Sequence, residues 1–276
     1  MYKIENDYER IFNNIVADAS NYIIGSNLKS LILGLSGGLD STVVAALARK
    51  VCDKTGAELI GVSLPTRFNK QEEISNAGLV GGSFCDVTTI ISLDKAVSAV
   101  ARHLLDPVLA SEEDLLKEEK IRRGNAIARL RMIYLYHEAH DNNGIVLSTD
   151  NLTEYFLGFW TLHGDVGDFG MIQGLWKTEV YGLAAFLRHM CLVEGDVQRA
   201  KALRRAIDAI PTDGLGISDT DLDQIEAKNY KEVDEILVAY LNGDAVKLSH
   251  PVIKRHLNSF FKRDNPHNIS REEILR

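Results

Sequence analysis

Leu31-Ile-Leu-Gly-Leu-Ser-Gly-Gly-Leu-Asp-Ser-Thr-Val-Val-Ala-Ala-Leu-Ala48 is the stretch that decides the fold. Its first five residues form an apolar run without polar alternation, which suits a strand buried on both faces of a parallel sheet. Ser36-Gly-Gly-Leu-Asp-Ser-Thr42 is a turn rich in glycine and hydroxyl groups, and Val43–Ala48 reads as a helix. Buried strand, glycine turn and helix open a doubly wound sheet, in which ligands bind beyond the carboxyl ends of the strands.

The flanking sequence continues this pattern. Ile11, Ile15, Ala19 and Tyr22 recur every three or four residues, as on an amphipathic helix. A second β-like run, Leu59–Leu64, stops at Pro65, and a third, Val87–Ile91, precedes a helical stretch from Asp94 to about Asp106. Ile121–His140 reads as a long helix and Ile145–Ser148 as a strand. Strands alternating with helices over the first 150 residues predict an α/β fold with a doubly wound parallel sheet. After residue 178 the pattern is helical, with helices expected over 178–190, 195–208, 228–241 and 245–260. The expected organisation is one domain over 1–276, with an α/β core at about 28–190 and a helical C-terminal portion at about 191–276.

Composition narrows the partners. A hydrophobic content of 45% with 25% charged residues excludes a disordered chain. The net charge of −8 argues against a nucleic-acid binder, which needs a basic face. Basic residues nevertheless cluster at 117–131 and 251–263, which fits a small polyphosphate ligand. No apolar run approaches the roughly 18 residues of a membrane span, and the charged start lacks a signal-peptide core. Cys52, Cys85 and Cys191 have neither CxxC spacing nor an even count, so reduced thiols and a cytoplasmic setting are expected.

The Ser36–Thr42 loop carries the strongest chemical signal. Gly37 and Gly38 let backbone N–H groups approach a phosphate, and the following helix aims its positive dipole end at the anion. Ser36, Ser41 and Thr42 add hydroxyl groups, and Asp40 makes sense as a Mg²⁺ ligand beside the phosphates. The loop is neither GxxxxGK[ST] nor GxGxxG. Ser148, Thr149 and Asp150 follow a strand and therefore lie on the same sheet edge, with Glu154 a second carboxylate for the metal. The plainer alternative for Glu154 is charge compensation at a helix start. Lys177 opens a helix, where the dipole disfavours a cation, and a bound phosphate would relieve the conflict. Asp165 and Asp168, in a glycine-flanked loop, also fit ordinary turn formers.

The Ser36–Thr42 loop resembles the pyrophosphatase loop of the N-type ATP pyrophosphatases, which activate a carboxylate or carbonyl oxygen by adenylation. Further motifs narrow the resemblance to the NAD synthetase family. Gly124-Asn-Ala-Ile-Ala-Arg-Leu-Arg-Met132 is similar to its GNxxARxRM helix, and Ser148-Thr-Asp-Asn-Leu-Thr-Glu154 to its GT[DN]xxE segment. Gly164-Asp165 with Asp168 resembles the loop after it, and Lys177-Thr-Glu-Val-Tyr-Gly-Leu-Ala184 the KTxVYxLA helix. Pro211-Thr212, Tyr230 and Val233–Leu237 resemble PTxxL…Y…IDxIL.

The resemblance implies an adenine nucleotide alpha hydrolase-like fold and ammonia-dependent amidation of deamido-NAD to NAD. The reaction runs through an acyl-adenylate and releases AMP and pyrophosphate. It implies ATP contacts from Ser36, Gly37, Gly38, Asp40, Ser41, Thr42, Thr149, Lys177 and Thr212, with Asp40 and Lys177 catalytic. Asp40 and Glu154 would hold Mg²⁺, and Arg129, Asp168 and Lys262 would contact deamido-NAD. A homodimer binding substrate across its interface is implied as well. With motifs running from residue 36 to about 237, no glutaminase domain is expected, so free ammonia is favoured over glutamine.

Three positions depart from the family pattern. Ser63 stands where many members have an ATP-contacting Arg, with Arg67 across the turn as a substitute. Leu162 stands where the family has a substrate-contacting Lys, beside His163, and Phe261-Lys-Arg263 replaces a His-Lys-Arg triplet. Two rival readings share the loop: another adenylating pyrophosphatase, and a nucleotide-binding sensor without chemistry.

Overall fold

The computed structural model describes residues 1–104, 117–211 and 222–263. Five parallel strands, β1 (Ser30–Gly34), β2 (Glu58–Ser63), β3 (Val87–Ile90), β4 (Gly144–Ser148) and β5 (Phe169–Gly170), form one sheet in the order β3-β2-β1-β4-β5. The chain runs outward from β1 in one direction and then returns to β1's other side with β4. The order therefore reverses between β1 and β4, which is where a doubly wound sheet opens a crevice for ligands. Register keeps Ile32 level with Ile60 on one neighbour and with Val146 on the other.

Side chains alternate along the strands, and the two sheet faces are covered by different helices. Leu31, Leu33, Leu59, Ile145 and Leu147 pack with α1 (Tyr8–Gly25), α2 (Leu39–Thr55), α3 (Gln71–Phe84), α7 (Lys177–Val193) and α8 (Val197–Asp208). Ile32, Ile60, Val62 and Val146 face α4 (Asp94–Leu104) and α5 (Lys117–Asp141). This two-sided burial explains the unbroken apolar run at 31–35. A third core joins α6 (Leu152–Leu157) and Trp176 to α9 (Tyr230–Leu241) and α10 (Pro251–Asn258). A short α11 (Phe260–Arg263) follows.

Several local expectations shift. In α1 the buried stripe is Ile11, Phe12, Val16, Ala19 and Ile23, leaving Tyr22 exposed and stacked on Phe169 at 4.8 Å. α3 escapes the sequence pattern because Gly78, Gly81 and Gly82 are poor helix formers. Gly81 is needed there, since a Cβ would strike Thr88 of β3. The helix expected over 245–260 begins only at Pro251, capped by the His250 side chain, because proline has no N–H and fits the first helical turn. None of the described helices is long and apolar enough to cross a membrane.

Candidate functional site

The phosphate-type loop leaves β1 and enters α2 at Gly38, the N-cap residue. Gly37 adopts φ +81°, a left-handed conformation that glycine takes without strain. A Cβ there would also strike the carbonyl of Glu73, so α3 packs against the backbone of the turn. Ser36 Oγ and Ser41 Oγ are 2.9 Å apart, and Gly38 N–H donates to Ser36 Oγ at 3.2 Å. Thr42 Oγ1 donates to Gly38 O at 2.7 Å, as does Ser41 Oγ at 3.2 Å. Ser41 and Thr42 are buried and brace the turn, whereas Ser36 is exposed at its mouth.

Across the β1–β4 crevice, Asn151 caps α6: its Oδ1 accepts from Glu154 N–H at 3.0 Å, while Glu154 Oε2 accepts from Asn151 N–H at 3.3 Å. This reciprocal capping box fixes the Glu154 side chain at the helix start. Asn151 Nδ2 then donates to Asp40 Oδ1 at 2.9 Å, which ties α6 to the phosphate-type loop.

Lys177, at the start of α7, completes the cluster. Its Nζ donates to Asp40 Oδ2 at 2.5 Å and to Glu154 Oε1 at 3.1 Å, and lies 5.2 Å from the centre of the Tyr230 ring. The side chain is only 4% exposed. The mismatch with the helix dipole is thus answered within the chain itself, by two carboxylates. Burial opposes the ammonium charge, but Asp40 and Glu154 outweigh it and raise the Lys177 pKa well above the ordinary lysine value. Burial pushes the Glu154 carboxyl up to about 8, against the pull of Lys177. Asp150 is half-buried, and desolvation with the nearby Asp165 and Asp40 pushes its carboxyl up to about 7 while it accepts from Ser148 Oγ at 2.8 Å. Thr149 lies between these residues, at the end of β4.

A second group forms where α5 meets the loop after α6. Arg129 is exposed and donates to Leu162 O at 2.9 Å, while Thr161 Oγ1 donates to Asn125 Oδ1 at 2.8 Å. Asp165 Oδ1 accepts from Thr161 N–H at 2.8 Å, and its pKa is raised by burial against the pull of Lys262 and Arg129. Lys262 Nζ donates to Gly158 O at 2.7 Å and also to Trp160 O. Burial, with Arg255 nearby, lowers the Lys262 pKa to about 8. Arg129 and Lys262 therefore face one loop from α5 and α11. Asp168 stands apart at the head of β5, where its Oδ1 accepts from Tyr136 Oη at 2.7 Å. Tyr136 follows Arg129 by seven residues, two helical turns or about 10 Å along α5.

Arg67 turns toward α4, with its N–H donating to Asp94 Oδ1 at 2.8 Å and its guanidinium lying 4.0 Å from the same carboxylate. Ser63 is buried at the end of β2, and His163 is exposed with φ +54°. Thr212 lies outside the described residues. Asn151 was not singled out from the sequence, although Asn-x-x-Glu is the signature of a capping box and pointed to it. Asp234 falls within the Val233–Leu237 motif, and nothing local marks its side chain.

A family model described as NAD synthase matches residues 11–263. The NH(3)-dependent NAD(+) synthetase of Wolinella succinogenes is 31% identical over 263 residues, covering 93% of each chain. The enzyme of the same name from Thermococcus sibiricus is 30% identical over 253 residues, 91% of this chain and 87% of the relative. Among solved structures, an NMN synthetase from Francisella tularensis superposes with a TM-score of 0.74 at 26% identity, covering 94% of this chain and 97% of that one. The match extends over nearly all of both the α/β core and the helical C-terminal portion, so the chain belongs to the NAD synthase family.

Proposed function

We propose that this protein catalyses the ATP-dependent amidation of deamido-NAD to NAD with ammonia. The observation that carries the reading is Lys177 held between Asp40 and Glu154, beside a glycine turn at the switch point of the sheet. That arrangement offers backbone donors, a cation and carboxylates where the phosphates of ATP would lie.

In the proposed reaction a nicotinate carboxylate oxygen attacks the α-phosphorus of ATP. The bond to the β-phosphate oxygen breaks, giving an acyl-adenylate and pyrophosphate. Ammonia then attacks the activated carbonyl, AMP leaves, and a proton is lost to give the amide. Ser36, Gly37, Gly38, Ser41, Thr42 and Thr149 are assigned to ATP, with Thr212, and Lys177 to the charge that grows on the departing pyrophosphate. Arg129, Lys262 and Asp168 are assigned to the pyridine substrate. Arg129 and Lys262, facing one loop, support a site for its anionic end.

The donor set fits magnesium, because Asp40 and Glu154 already converge on one cation. Hard Mg²⁺ is usually held by one or two carboxylates together with substrate phosphates. No cluster of three or more His, Cys, Asp or Glu suited to a metal occurs among the described residues, so phosphate oxygens would supply the remaining ligands. When bound, the ion would neutralise phosphate charge.

The whole of 1–276 is proposed as one synthetase domain, supported by the third core, which joins α6 and Trp176 to the C-terminal helices. A homodimer is proposed through the exposed stripe Arg129, Ile133, Tyr136 and His140 on α5, where Ile133 is 67% exposed. Light scattering at micromolar concentration is expected to give twice the chain mass, and Ile133→Asp the chain mass. The unpaired Cys52, Cys85 and Cys191 support a cytoplasmic location.

A second reading is favoured by the resemblance to the Francisella NMN synthetase, under which the pyridine substrate is the mononucleotide carboxylate. One panel separates the readings: deamido-NAD, nicotinate mononucleotide and xanthylate, each with ATP and either ammonia or glutamine. Amide formed fastest from deamido-NAD and ammonia supports the first. Preference for the mononucleotide supports the second, and amination of xanthylate alone rejects both.

A further inference from the structure

We propose that Asp234 is a positioning residue that sets Lys177 and Glu154 in register for ATP, an inference that rests on the ATP site proposed above. Asp234 lies on α9, in the helical C-terminal portion, and is fully buried. Its Oδ1 accepts from Thr153 Oγ1 at 2.5 Å, and its Oδ2 accepts from Thr178 N–H at 2.8 Å and from Thr178 Oγ1 at 2.6 Å. Thr153 Oγ1 in turn accepts from the Lys177 backbone N–H at 2.8 Å. One carboxylate thereby ties the first turn of α6 to the first turn of α7. Glu154 follows Thr153 directly and Lys177 precedes Thr178 directly, so the tie fixes the two backbones whose side chains meet at Nζ.

The same helix also reaches the other end of Lys177. Tyr230 precedes Asp234 by four residues, one turn away on the same face of α9, and its ring is the one beside Lys177 Nζ. α9 thus holds Lys177 at its backbone through Thr153 and at its ammonium through Tyr230. A buried carboxylate is costly unless hydrogen-bonded, and Asp234 receives three donors, all from the two segments that carry the charged cluster. Two of those donors are among the first N–H and hydroxyl groups of α7, which lack partners within their own helix.

ATP affinity by calorimetry, with KM for each substrate, tests the assignment. Thr153→Val keeps the side-chain volume but removes the hydroxyl link. It is expected to weaken ATP binding and raise KM for ATP by about fivefold, the scale of a lost hydrogen bond, with KM for ammonia and the pyridine substrate within about twofold of wild type. Thr153→Ser keeps the hydroxyl and is expected to restore ATP affinity. A purely packing role reverses that order, since serine leaves a void and valine does not. Asp234→Asn, whose amide nitrogen cannot accept from these donors, is expected to shift ATP affinity in the same direction and to lower the thermal midpoint. If that variant does not fold, Thr178→Val at a half-buried position replaces it, with the same expectation. ATP affinity unchanged in Thr153→Val, valine outperforming serine, or an equal shift in every KM overturns the proposal. A wild-type protein that binds ATP but amidates no pyridine carboxylate rejects the reaction alone, and the affinity comparison still decides the role of Asp234.

Discussion

The Lys177 ammonium lies 2.5 Å from Asp40 Oδ2, across 137 positions of sequence, and shares that cation-binding position with Glu154. One residue opens a helix with the wrong charge; the other lies in the first turn of α2, two residues after Gly38. Together they neutralise one another in the crevice, where Glu154 gives the ammonium a second carboxylate and Asn151 gives Asp40 a second donor.

Removing the carboxylate nearest the loop separates chemistry from folding. Asp40→Asn preserves size and the hydrogen bond from Asn151, and is expected to lower kcat by about 10²–10³, the scale of losing a charged group at a reacting phosphate. Steady-state NAD formation with unchanged circular dichroism checks this. Near-normal turnover would remove Asp40 from the catalytic assignment.

Because Lys177 stands where a divalent ion would be held, the two compete in the nucleotide-free protein. Lys177→Gln is expected to bind Mn²⁺ at least about tenfold more tightly than wild type without ATP, since it removes a full positive charge between two carboxylates. Turnover should fall in the same variant, because the cation proposed for the leaving pyrophosphate is gone. Mn²⁺ titration followed by electron paramagnetic resonance measures the first effect independently of the second.

The charge of Lys262 is set by burial, which lowers its pKa from 10.5 to about 8. The ammonium is present below that value and lost as pH rises through it. KM for the anionic pyridine substrate is therefore expected to rise between about pH 7.5 and 9, and to stay flat in Lys262→Met. For stability the sign is opposite: between about pH 8 and 10.5 the unfolded chain binds more protons at this site, so rising pH removes a penalty from the folded state.

Gly37→Ala introduces a Cβ at φ +81° against the Glu73 carbonyl. A left-handed alanine alone costs about 1–2 kcal/mol, and the contact with α3 adds to it. Urea unfolding is expected to show a loss of that size or larger, together with weaker ATP binding, whereas Gly25→Ala, with open space around it, should retain ATP affinity.

Much of the fold was legible because the signals were local. The buried run at 31–35, the turn at 36–42 and the later β-like runs each announce themselves within a few residues, and β1, β2, β3 and β4 appear where they were expected. α3 was not legible, because Gly81 is justified by its close approach to Thr88 of β3 and to Leu35, which no window of sequence contains. β5 is only two residues long and exists through pairing with β4. At the site, the loop and the carboxylates were visible as motifs, but a contact partner has no local signature. Lys177 looked like a phosphate ligand at an awkward helix position, and only its neighbours explain how the free chain tolerates it.

Residue order alone therefore settled the class of fold, the glycine turn and the family, since backbone freedom, hydrophobic runs and motif spacing are written along the chain. Tertiary structure decided which charges meet. Asp40, Glu154 and Lys177 converge because strand order reverses between β1 and β4, bringing the starts of α2, α6 and α7 to one edge. Asp234 joins them from α9 because three otherwise unpaired donors need a buried acceptor. Pairing of this kind depends on distances between remote segments, and those distances exist only once the sheet and its helices have packed.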